Sequence, residues 1–197
     1  MASISQSTTH RMKSKLKRFV REFEEDNEEW DGTVRLAFTE HPKNTDPSEI
    51  LLKVVVLNIM YSAGLWRKGD GYWKMAERIQ KSNADRRLDA CDFSLVDDLG
   101  KKINNKACYV FATKYCHWSR PSDFPLQDSL STRAAHYLSR KLSLGDNVGF
   151  KVTYSNLWGY ERYKRVLDEL VVVLDLPDSW KYKKLDEGLY YLGKGLG

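Results

Sequence analysis

The chain has 197 residues, 42% hydrophobic and 30% charged, and its 32 Lys and Arg against 27 Asp and Glu leave a formal charge of +5. That length holds one ordinary domain or two small lobes on a shared core, and the apolar fraction excludes global disorder. The charge excess fits a polyanionic partner. Six Trp and eleven Tyr are more than such a core requires, so some aromatics are expected to face a groove.

The most apolar run, 50–60, is too short to span a bilayer and carries Lys53 and Asn58. The first ten residues lack an apolar signal core, so a cytoplasmic chain with no membrane contact is expected. Cys91, Cys108 and Cys116 form no C-x-x-C pair. The four histidines show no ligand spacing, and no Walker loop occurs. These patterns argue against disulfides, metal sites and bound cofactors.

In chain order, the Ser/Thr-rich residues 1–10 read as a disordered tail. A helix follows over 11–30, with Leu16, Phe19, Val20 and Phe23 on one face. Its cations precede its anions, against the macrodipole. The basic half would either meet a phosphate backbone or pair with the acidic residues along a solvated face. Residues 40–47 form a loop broken by Pro42 and Pro47. With Asp46 as N-cap and Pro47 at the first helical position, a helix opens and runs to about Ala63. Being apolar nearly all round, it is expected as the buried central element. Helices are predicted over 72–81, in an amphipathic segment ending near Leu99-Gly100, and over 105–118, 129–142, 156–174 and 179–192. The fold class is all-α, with roughly eight short helices.

One stretch carries the chemistry. Lysines precede a loop with two prolines, Pro121 and Pro125, and that loop delivers Asp128 to the start of the next helix. Plain N-capping would account for an aspartate there. The order of elements adds to it: Leu99-Gly100, then Ile103-Asn104-Asn105-Lys106-Ala107, then Asp123-Phe124-Pro125-Leu126-Gln127-Asp128, then Arg133-Ala134-Ala135, with Tyr61-Ser62-Ala63 upstream. In this order the chain resembles the helix-hairpin-helix DNA glycosylase superfamily. It is also similar to a group of uncharacterised bacterial proteins with a Lys-Tyr-Cys-x-x-x-x-Pro-x-x-Tyr-Pro-x-x-Asp pattern, matched here from Lys114 to Asp128. In the hairpin, Lys102-Ile103-Asn104 stands where the superfamily has Gly-hydrophobic-Gly. Asn104 is the residue suited to a left-handed turn there.

The resemblance implies an all-α, two-lobed helix-hairpin-helix glycosylase-like fold. One lobe is expected from 11–49 with 136–197, the other from 50–135. It implies a monomeric DNA N-glycosylase that flips and excises a damaged or modified base, in repair or in defence against phage DNA. The catalytic carboxylate would be Asp128, stabilising positive charge on the sugar. Lys106 falls near the position where bifunctional members place a Schiff-base lysine, and Lys114 is the second candidate on the same helix. Neither spacing signals a buried amine, so monofunctional chemistry is expected. Tyr61, Trp66, Tyr115, Trp118 and His117 are candidates for the base pocket or wedge. Lys101, Lys102, Asn104, Arg133 and Arg140 are candidates for the DNA backbone. The alternatives are a non-catalytic helical nucleic-acid-binding module, or a protein-interaction domain docking through Trp180, Tyr190, Tyr191 and Leu192.

Overall fold

The computed structural model describes residues 6–63, 65, 70–177 and 179–197, the side chains of 26–30 excepted. Among them the protein is all-α: α1 (Gln6–Glu40), α2 (Pro47–Tyr61), α3 (Gly71–Lys81), α4 (Ala84–Asp89), α5 (Ser94–Gly100), α6 (Tyr109–Ser119), α7 (Ser129–Lys141), α8 (Gly145–Val148), α9 (Tyr160–Val173) and α10 (Lys181–Lys194). A 3-10 turn, Asn156–Trp158, precedes α9. No helix among the described residues is long and apolar enough to cross a membrane.

The chain divides into two compact units. A terminal unit is built from Met1–Asp26 with Pro125–Gly197, and a central unit from Asn27–Phe124. The divisions fall at 26/27 and 124/125, where the sequence suggested 49/50 and 135/136. Helix α1 explains the first displacement. The apolar spacing continues through Val34, Ala37 and Phe38, all buried, and no proline occurs before Pro42. Phe38 packs edge-to-face on Tyr115 of α6, with ring centroids 5.3 Å apart. The second displacement follows from α7, which packs along α10 in the terminal unit.

Residues 6–10, expected within a disordered tail, are helical instead. Helix α1 begins at Gln6, and Met12 and Leu16 are docked in the terminal core close behind it. Residues 1–5 lie outside the described residues.

In the central unit α2 starts as its cap predicts: the Asp46 side chain accepts from the Ser48 and Glu49 amides, with Pro47 inside the first turn. It is not buried all round, however. Ile50, Lys53, Val54, Leu57 and Asn58 form the covered stripe, while Leu52 and Ile59 face outward. The segment ending at Leu99 splits into α4 and α5, with Cys91 in a left-handed conformation between them. In the terminal unit, Met12 and Leu16 meet Ala134 and Leu138 of α7, Tyr163, Val166 and Leu170 of α9, and Leu185 and Leu189 of α10.

Candidate nucleic-acid interface

Helices α5 and α6 are joined by a tight hairpin. Ile103 and Lys106 exchange both backbone hydrogen bonds, at 2.9 and 3.0 Å, so two residues make the turn. Those two, Asn104 and Asn105, have φ of 49° and 64°. Positive φ at both central positions is the geometry of a type I′ turn, and asparagine adopts it more readily than other non-glycine residues. The turn is therefore built on two asparagines, Asn104 as expected and Asn105 beside it. It also shortens the predicted helix over 105–118. Helix α6 begins only at Tyr109, so Lys106 belongs to the hairpin and Lys114 to the helix.

Two devices hold the hairpin in place. The Cys108 amide donates to the Gly100 carbonyl at 3.1 Å, closing the base of the turn. From α3, the Arg78 guanidinium donates to the carbonyls of Leu99, Lys101 and Lys102. Asn104 is tethered as well: its side chain accepts from Lys74 Nζ at 2.9 Å and donates to Asp70 at 3.2 Å. Lys74 also pairs directly with Asp70 at 3.0 Å, and the hydrogen bonds that Asp70 accepts, from Lys74 first and then Asn104, hold its carboxyl below the ordinary range. Among the described residues, the backbone amides of Asn104 and Asn105 have no hydrogen-bond partner. Lys101, Lys102 and Lys106 are exposed beside them. A cleft of about 610 Å³ runs between α3 and the hairpin, lined by Lys74, Arg78, Lys81, Lys101 and Lys102. Glu77 and Asp98 line it too and pair with Lys81 and Lys101.

Three of the remaining candidates come together in the central unit. Lys114 is buried, with Nζ 4.6 Å from the centroid of the Tyr61 ring, and Tyr61 lies 6.3 Å from Trp118. The Tyr61 hydroxyl donates to Asp31. Tyr115 and His117 are different. Both are fully buried: the Tyr115 hydroxyl donates to Asn44, and His117 Nδ1 donates to the Phe124 carbonyl at 2.7 Å. They are core positions on α6. Trp66 lies outside the described residues. Lys106 is exposed, without the burial that a nucleophilic amine needs.

Asp128, Arg133 and Arg140 belong to the terminal unit. The loop before Asp128 is fixed from below. Tyr160 donates to the Pro125 carbonyl at 2.7 Å, and the buried Gln127 amide donates to the Leu157 carbonyl. Asp128 caps α7 through a capping box. Oδ1 accepts from the Leu130 and Ser131 amides, both at 2.9 Å, and the Ser131 hydroxyl returns to the Asp128 amide at 3.0 Å. Both cap bonds use Oδ1, and Oδ2 has no partner among the described residues. Arg133 is half-buried on α7, and Arg140 is exposed near its end. The C-terminal docking face does not stand free. Tyr190 and Tyr191 pack on Phe19 and Phe23 of α1, and Leu192 is buried, because the apolar stripe of α1 needs a cover.

Comparison with known proteins places the chain in a family. A family model, HI_0787_N, described as an N-terminal domain, matches residues 11–123. The chain belongs to this family. An uncharacterized protein of Haemophilus influenzae is 32% identical over 113 residues, which cover 56% of this chain and 50% of the relative. The chain thus spans half the length of the curated relative it matches. No solved structure matches. The HI_0787_N match ends at 123, one residue before the central unit ends at Phe124, so the family domain and the central unit share a C-terminal boundary.

Within the HI_0787_N region lies a polar cluster that sequence reasoning missed. Lys53 is buried on α2, and its ammonium donates to the His41 and Lys43 carbonyls and to Asn44 Oδ1, each at 2.8 Å. Asp85 in turn accepts from both the backbone and the side-chain amide of Asn44. Desolvation lowers the Lys53 amine to about 8, against the pull of Asp85 and then Glu49. A lone lysine in an apolar run was the available signal. The cluster fixes the 41–44 loop rather than facing a ligand.

Proposed function

We propose that the protein binds DNA through the α5–α6 hairpin and excises a base by hydrolysing its N-glycosidic bond at Asp128. The observation that carries the reading is the Asn104-Asn105 turn. It leaves two backbone amides available among exposed lysines, the donor set that suits a phosphate oxygen. Its place between two helices supports the resemblance to helix-hairpin-helix glycosylases, although glycine is absent. Asp128 is the proposed carboxylate. Oδ1 is held by the cap, while Oδ2 is available to stabilise an oxocarbenium-like sugar or to orient water. The exposure of Lys106 supports monofunctional chemistry, which leaves an intact abasic site, while Lys114, buried contrary to expectation, is the remaining candidate for a nucleophilic amine. A role in repair or in defence against phage DNA with modified bases is part of the same proposal.

A second reading rests on the completeness of the capping box. If Asp128 serves α7 alone, the chain is a non-catalytic DNA-binding module. Two measurements separate these readings. DNAs carrying different modified bases are incubated with the protein, and released base is sought by mass spectrometry. Asp128→Asn should keep the cap and DNA binding while slowing excision a hundredfold or more, the effect of losing an electrostatic contribution of a few kcal/mol. Base release at the wild-type rate would leave Asp128 as a cap only. Separately, Lys101→Ala with Lys102→Ala should weaken duplex binding and lower the slope of log affinity against log salt by about 2. An unchanged slope would remove the hairpin from the interface.

A further inference from the structure

The terminal unit carries an aromatic surface that neither Asp128 nor the hairpin uses. The stretch 151–160 is anchored from inside by Leu157 and Tyr160, both buried, and held locally by side-chain hydrogen bonds. Asn156 donates to the Lys151 carbonyl at 2.9 Å, and the Asn156 amide donates to the Thr153 hydroxyl at 3.2 Å. On that fixed loop Tyr154 points outward and is 38% exposed. Two rings meet it edge-to-face: Trp158 at 6.2 Å and 88°, and His136 of α7 at 6.3 Å and 67°. In an edge-to-face pair one ring offers only its edge and keeps both faces.

Cations continue this surface. Arg140 lies one turn beyond His136 on α7 and is exposed. Burial, and then the charge of Arg140, lower the His136 imidazole below its ordinary value, which favours its neutral form. Arg140 lines a cleft of about 620 Å³ together with Lys151 and Phe150, and Asp146 is the acidic residue on its wall. The guanidinium of Arg162 lies 5.9 Å from the Phe150 ring centroid. Trp158, Tyr154, His136, Arg140 and the cleft therefore form one strip, aromatic at one end and cationic at the other.

We propose that this strip binds single-stranded nucleic acid, with unpaired bases stacking on Tyr154 and its neighbouring rings and phosphates meeting Arg140 and Lys151. Stacking platforms beside cations are how proteins hold single strands without reading their sequence. A hydrophobic partner would need an apolar surface, and this one is interrupted by a guanidinium and an ammonium. The proposal stands on its own residues and depends on neither the hairpin nor the chemistry at Asp128.

Fluorescence anisotropy of the full chain with labelled oligo(dT), and with an abasic strand of the same length, tests it. The wild type should prefer oligo(dT). Tyr154→Ala should lower oligo(dT) affinity about tenfold and leave the abasic strand unaffected. Tyr154→Phe should bind like the wild type. Tyr154→Leu, which keeps a bulky apolar side chain without a ring, should fail as Tyr154→Ala does. Arg140→Ala with Lys151→Ala should weaken both strands and flatten the salt dependence. Equal affinity of the wild type for the two strands, or unchanged oligo(dT) binding in Tyr154→Ala or Tyr154→Leu, would overturn the proposal.

Discussion

At the scale of single residues, Lys53 shows how burial and hydrogen bonding divide a side chain's effects. Its ammonium ties three oxygens of the 41–44 loop to α2, while desolvation brings the amine down to about 8. A lysine in the unfolded chain keeps its ordinary value of 10.5. Between pH 8 and 10.5 the unfolded chain binds more protons than the folded one at this site, so its contribution to stability increases as pH rises through that window. The full shift corresponds to about 3 kcal/mol. Tyr115 and Cys116 act in the opposite direction, since burial raises both above their ordinary values. The Lys53 contribution is therefore isolated by a comparison with Lys53→Met. Urea unfolding at pH 7.5 should find Lys53→Met less stable, because two backbone carbonyls lose their donor. At pH 10.5 the stability gap should be wider by an amount on the order of the full shift. A gap independent of pH would show that the amine is not depressed.

Among the elements, α7 and α10 pack closely along each other in the terminal unit. A Cβ placed on Gly193 would lie 2.3 Å from the Leu130 carbonyl oxygen and 2.7 Å from its carbon. Both atoms are backbone, so no rotamer change relieves the clash and the helices must separate. Gly193→Ala is expected to cost about 2–3 kcal/mol despite the better helix propensity of alanine. Thermal unfolding followed by circular dichroism measures it. An unchanged melting temperature would mean that α10 shifts freely along α7. Gly32, by contrast, has nothing within 4 Å of such a Cβ. Gly32→Ala in the middle of α1 should therefore stabilise the helix by about 0.5–1 kcal/mol.

For the whole molecule, the HI_0787_N match and the two-unit division make a joint statement. The match begins at residue 11, so it includes the half of α1 whose Met12 and Leu16 are buried in the terminal core. A fragment spanning 11–123 should keep the central core and its helical circular dichroism. It should also expose Met12, Leu16 and Val20, and so self-associate. A fragment spanning 27–124 lacks that stripe and should remain monomeric. Light scattering on the two fragments distinguishes them. A monomeric 11–123 fragment would show that the first half of α1 finds cover without the terminal unit.

Local chemistry was enough to read much of this fold from the sequence. The all-α class, the Asp46 and Pro47 start of α2, and the Asp128 cap of α7 follow from apolar spacing and from side chains that reach amides only two or three residues away. The Asn104-Asn105 turn was partly legible: asparagine marked the left-handed position, but the pairing of Ile103 with Lys106 was not foreseen. Only the tertiary structure decided which aromatics are core. Tyr115 and His117 sit on a helix buried on every side, and their partners Asn44 and Phe124 come from segments that no periodicity on α6 can reveal. It also decided the burial of Lys53 and the exposure of Leu52 and Ile59 on the same helix. An all-round apolar sequence does not state which of its faces will be covered. The strip around Tyr154 belongs to this class as well, because it joins α7 to the loop before α9, and side chains far apart in sequence meet only when the chain packs.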